Sequence, residues 1–267
     1  HHYLKIRLKS RSELVISNKG SINFLLNEPC GLLRAIDLYD GFQEVLQLVF
    51  GGSSKFESFH FKCLGCNDWM ELYYNDKKFS TSSNTFVHTE YHKVKANLPS
   101  IFVAAYSDKN FQFCLNKLME NFIGKHPSHN KRFINSMTAY EAFCKLYVDK
   151  PKSTHTKLSK WIMGHEEVFK KIGGLNDSEW ESFPSKVVRS RDFHVHSNLG
   201  NRDVFTEFEL LYVSFLFDFV IAYLLLAQLD AVEADLLDKY ILFGNRVFID
   251  MKRTNALLGS DPFKADK

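Results

Sequence analysis

Residues 187–200 read VVRSRDFHVHSNLG, and Arg189, Arg191, Asp192, His194 and His196 fall within eight positions of that stretch. The two imidazoles lie two residues apart, and each follows a guanidinium by five. An imidazole titrates near neutrality, so it can take a proton from an attacking hydroxyl or give one to a leaving oxygen. A guanidinium stays charged and presents a planar fork of donors to phosphate oxygens as charge develops on them. Arg191 and His196 are therefore the first candidates for phosphate chemistry, with Asp192 placed to orient the arginine or an imidazole. Arg189 and His194 repeat the spacing, but Ser190 rather than an acid follows that arginine. The competing reading is a solvated helix end, where cations suit the negative pole of the macrodipole.

The backbone must bring these side chains together. On an unbroken helix a five-residue offset turns by about 140°, so Arg191 and His196 diverge unless the helix ends near His196. SNLGN, residues 197–201, is the turn signal expected to end it, and Pro184 is expected to open or kink the same helix. Thr206 and Glu209 then have capping-box spacing and start the next helix. Its apolar run LLYVSFLFDFVIAYLLLAQL, residues 210–229, is long enough to cross a bilayer. Asp218 at its centre costs roughly 2.5–3.5 kcal/mol on insertion scales, and Glu207, Glu209 and Asp230 flank it where anchoring Lys or Arg would be expected. It is read as a buried helix of a bundle, with no membrane partner and with Asp218 hydrogen-bonded inside the core.

The other periodicities fit this bundle. SDKNFQFCLNKLMENFIG has a start at Asp108 and a stop at Gly124, and NKRFINSMTAYEAFCKLYV places Phe133, Met137, Tyr140 and Cys144 on one face. DKPKSTHTK reads as a loop, LSKWIMGHEEVFKKIGG as one helix, and residues 231–243 as a last helix before Gly244. Up to about residue 95 the pattern favours strands: YLKIRL alternates, Phe59, Phe61 and Cys63 share a face, WMELYY is short and aromatic, and NKG and YNDKK mark turns. Within it DLYDGFQEVLQLVFGG spaces Leu38, Phe42, Val45, Leu46 and Val49 for a helix that stops at Gly51. The fold class is α+β: a β-containing N-terminal region over 1–98, an all-α domain over 99–244 and a C-terminal tail over 245–267.

Composition sets bounds. The 267 residues are 45% hydrophobic and 24% charged, enough for a packed core, and 25 Phe make that core aromatic. A net charge of +3 does not by itself announce a nucleic-acid binder. Five cysteines, an odd number without a secretory leader, suggest a reducing, cytoplasmic setting. The opening HHYLKI lacks an initiator Met, so His1 and His2 read as the end of a purification tag with natural sequence missing before them. Cys63 and Cys66, with His60 nearby, invite a zinc reading, but a closed structural site needs four ligands, and core cysteines are the preferred reading. His92, His126, His129, His155 and His165 are scattered and read as surface residues. FGGSSK lacks the context of a phosphate loop, so neither metal nor cofactor is expected.

Arg191, Asp192 and His196 at a helix end, followed by a long apolar helix, resemble the signature of the HEPN family. FINSMTAYEAFCK at the first helix and LYY in the β-containing region in front are similar to its ApeA-like branch. The resemblance implies a metal-independent endoribonuclease in which His196 moves protons, Arg191 neutralises phosphate and Asp192 orients. The products would carry 2′,3′-cyclic phosphate ends. It also implies a homodimer with two copies of the motif meeting at the interface, an RNA substrate such as tRNA, and a role in prokaryotic anti-phage or abortive-infection defence. The N-terminal region would then sense a phage-derived trigger or restrain the nuclease. Glu141 matches a position where relatives often carry an acid; with Arg189, His194 and Asn198 it is assigned to substrate contact. Relatives regulated by antitoxins often carry Tyr at the place of Asn198. The alternative is a non-catalytic HEPN module that binds RNA or protein.

Overall fold

The structure, a computed structural model, describes residues 2–9, 19–26, 30–51, 56–62, 65, 67–72, 89, 91–123, 128–148, 157–196 and 203–257. The chain divides into two compact units, His1–Val87 and His88–Lys267.

The first unit holds β1 (His2–Lys9), β2 (Lys19–Leu26), α1 (Leu32–Phe50), β3 (Phe56–Phe61) and β4 (Met70–Leu72). The strands form one antiparallel sheet in the order β2-β1-β3-β4, with Ile6 opposite Ile22 and Phe59 and a register shift between Ile6 and Leu8 on the β3 side. β2 was not foreseen: KGSINFLL places Gly20 and Lys19, expected in a turn, inside a strand. α1 buries Leu38, Phe42, Val45, Leu46 and Val49 and ends at Gly51, whose φ of 73° is the left-handed cap that glycine adopts without strain. Cys63 and Cys66 lie outside the described residues.

The second unit is helical: α2 (Tyr91–Val94), α3 (Leu98–Ser107), α4 (Lys109–Ile123), α5 (His129–Phe143) running into a π-helical turn (Cys144–Val148), α6 (Lys157–Gly164), α7 (Glu166–Gly173), α8 (Asp177–His196), α9 (Glu207–Ala227) and α10 (Ala234–Leu257). Local chemistry sets the helix starts. Asp108 Oδ1 accepts the N–H groups of Asn110 and Phe111 at 2.8 and 3.2 Å, Ser128 caps α5, and Thr206 with Glu209 forms the expected reciprocal capping box of α9.

Three helix assignments are corrected. LSKWIMGHEEVFKKIGG is two helices, broken at His165. His165 is no surface residue: it is half-buried, and its Nδ1 is hydrogen-bonded to Tyr140 Oη at 2.7 Å. Pro184 does not open α8 but lies inside it, eight residues after Asn176, which caps the start. Asn176 Oδ1 accepts Glu179 N–H at 2.9 Å, and Glu179 Oε2 accepts Asn176 N–H at 2.8 Å. The last helix passes through Gly244 to Leu257. That glycine serves close packing, since a Cβ there would stand 2.9 Å from Ile172 Cγ2 on α7.

α9 is the core helix, packed on α4, α5, α7 and α10. Around Phe217 an aromatic cluster explains much of the phenylalanine content: its ring lies 4.9 Å from Phe169 and 5.1 Å from Tyr140, with Phe183 and Trp180 completing the group. Asp218, 3% exposed, is bound on three sides. Arg132 Nη2 donates to it at 2.6 Å, Ser136 Oγ at 2.7 Å and Asn121 Nδ2 at 2.9 Å. Arg132 lies over the Phe215 ring at 4.1 Å. α9 has the length and hydropathy of a membrane span, yet two-thirds of its apolar window is buried inside the protein.

Candidate active site

α8 carries both Arg191 and His196 and is described as far as His196; the SNLGN turn expected to end it lies outside the described residues. Arg191 is held from two sides. Its Nε donates to Glu141 Oε1 at 3.1 Å and its Nη1 to Asp192 Oδ1 at 3.2 Å. Glu141 sits in the last turn of α5, just before the π-helical turn. Its Oε2 lies 3.6 Å from Lys145 Nζ. The chain Lys145, Glu141, Arg191, Asp192 thus alternates in sign, and the two carboxylates are largely withdrawn from water at 16% and 15% exposure. Pairs in such surroundings are screened less than open surface pairs, so the guanidinium fork has a defined direction. Asp192 and Glu141 thus both pair with the arginine.

The other candidates are placed differently. The His194 ring stands edge-on to Phe133 of α5, centroids 6.2 Å apart, and to Phe193 at 5.0 Å. Its Nε2 is buried with no hydrogen-bond partner among the described residues, and burial lowers its pKa below the ordinary 6.5. Burial among these rings thus favours the neutral form of His194. Arg189 turns away from Arg191 to Asp203, donating from Nε to its carbonyl oxygen at 3.1 Å and from Nη2 to its carboxylate. His196 stands four residues after Asp192 and seven after Arg189, a spacing that puts the three positions on one side of α8. The side chain of His196 lies outside the described residues, as does Asn198.

Ser190 escaped the sequence reading. It is fully buried, and its Oγ accepts the N–H of Phe205 at 2.8 Å. A serine between two arginines carries no periodic signal that marks it; its partner is fifteen residues away. Among the described residues no group of three or more His, Cys, Asp or Glu side chains is placed to hold a metal ion.

With that geometry in view, two family models match the chain. One, described as Apea-like HEPN, covers residues 101–235. The chain belongs to the ApeA-like HEPN family. The other, described as ApeA N-terminal domain 1, covers residues 1–103. No curated protein and no solved structure matches significantly. The HEPN match spans α4 to α9 and so includes Glu141, Arg191, Asp192 and His196.

Proposed function

We propose that this chain is a metal-independent HEPN endoribonuclease acting in defence against phage. The observation that carries the reading is Arg191, aimed by Glu141 and Asp192, five residues before His196 on α8. In this reading the 2′-hydroxyl of a ribose attacks the adjacent phosphorus and loses its proton to an imidazole. The 5′-oxygen departs with a proton from a second acid, leaving a 2′,3′-cyclic phosphate and a 5′-hydroxyl. His196 performs one of these transfers, and Arg191 stabilises the phosphate oxygens as charge accumulates. Glu141 and Asp192 hold the guanidinium until a phosphate joins or displaces them, which lowers the cost of ordering it.

A homodimer supplies the second imidazole. A two-fold axis brings identical motifs together, and one short motif offers few groups for both proton transfers. The chain is assigned to the cytoplasm, with RNA as substrate, tRNA included, and with the first unit receiving a phage-derived trigger. One observation favours the non-catalytic alternative: two carboxylates already neutralise Arg191, as in a structural ion pair. The deciding experiment is purified protein with total cellular RNA, comparing wild type with His196→Ala and Arg191→Ala and mapping the new ends. Loss of cleavage with intact circular dichroism supports the enzyme; equal cleavage by all three refutes it.

A further inference from the structure

α8 is described as far as His196, and Asp203, just before α9, lies against the same helix. Three α8 side chains hold the return. Arg189 binds both the backbone oxygen and the carboxylate of Asp203. Ser190 Oγ accepts Phe205 N–H at 2.8 Å, and Lys186 Nζ donates to Glu209 Oε1 at 3.0 Å. Glu209 Oε2 meanwhile accepts Thr206 N–H at 2.6 Å, so one carboxylate caps α9 and ties it to α8. Positions 186, 189 and 190 have the i, i+3, i+4 spacing of a single helix face. His196, seven residues after Arg189, continues along that face.

We propose that Arg189 and Ser190 form a clamp that positions His196: by tying the last described turns of α8 to the start of α9 they hold the backbone that carries that histidine, and Arg189 does not contact RNA. The proposal rests on the nuclease reading above. The two contacts differ in strength. Arg189 and Asp203 are 36% and 64% exposed, and such pairs contribute little alone. The Ser190 bond is buried beside Phe205, 4% exposed, so removing the hydroxyl strands a buried N–H. Ser190→Ala should therefore loosen the helix end more than Arg189→Ala.

The test uses the full chain with Arg189→Ala, Asp203→Ala, the double variant and Ser190→Ala, each checked for folding by circular dichroism. The clamp predicts that both single variants lose about tenfold in kcat with KM unchanged. The double variant should be no worse than the poorer single one. Hydrogen exchange of the Phe193–His196 amides should quicken in Arg189→Ala and more so in Ser190→Ala. A raised KM for Arg189→Ala, with Asp203→Ala silent, would show an RNA contact and overturn the proposal, as would unchanged exchange at the end of α8. If His196→Ala cleaves like wild type, the nuclease reading and the catalytic half of the proposal fall together. The exchange data then decide independently whether the clamp exists.

Discussion

Replacing Asp218 by Ala should unfold the helical unit far more easily, and the structure says why. The substitution removes three donors' common acceptor, but the donors do not suffer equally. Ser136 Oγ can turn to the carbonyl oxygens of Arg132 at 3.0 Å or Ser214 at 3.3 Å. Asn121 Nδ2 retains Ser136 Oγ at 2.9 Å. Arg132 keeps only the Asn121 carbonyl oxygen at 3.2 Å among acceptors of the described residues and stays charged at 9% exposure. An uncompensated buried charge costs about 3–5 kcal/mol. At an m-value of about 2 kcal/mol/M that is a fall of about 1.5–2.5 M in urea midpoint. Adding Arg132→Met removes the stranded charge and leaves a soft side chain against Phe215, so the double variant should recover most of the loss. Urea melts followed at 222 nm measure both. A midpoint within about 0.5 M of wild type for Asp218→Ala, or a double variant no better than the single, would refute this account.

Mixing inactive His196→Ala and Arg191→Ala chains should restore part of the RNA cleavage if sites are shared across a dimer; a fully active monomer in sedimentation would exclude that. Cleavage should survive EDTA, because proton transfer and charge neutralisation are assigned to side chains; strong rescue by added Mg²⁺ would point to another site. Burial lowers the pKa values of both His165 and His194 below the ordinary 6.5, so protonation favours the unfolded chain. Stability should be full above about pH 6.5 and decline as pH falls below it; removing both imidazoles should flatten that slope in thermal melts. Gly→Ala should change sign with position: Gly164 meets nothing within 4 Å and should gain about 0.5 kcal/mol, whereas Gly244→Ala drives a methyl toward Ile172 and should lose about 1 kcal/mol or more.

What could be read from the sequence was local or periodic. Thr206 and Glu209 announce their capping box, Asp108 announces α4, and Asp218 had to find partners because a lone buried carboxylate is too costly. The errors arise where distant packing decides. Gly244 looks like a stop until α7 is brought against it, and Pro184 looks like a start until Asn176 is seen to cap α8 first. At the break, His165 meets a tyrosine from another helix, which no local window shows. Within the site, Arg191 and Asp192 were legible from residue type and spacing. That Arg189 faces Asp203, and that Ser190 matters at all, depends on a chain return no short window contains.

Asp218 also matters before the core exists. Between Glu209 and Asp230 it is the only charged residue. A nascent chain carrying this 21-residue helix competes between two solvents, its own folding partners and any bilayer within reach. Arg132, the group that repays its burial, lies 86 residues upstream and is synthesised first. Exchanging Asp218 for leucine would remove the folding partner's target and the insertion penalty in one step, so a single carboxylate biases the helix toward the protein interior during both synthesis and folding.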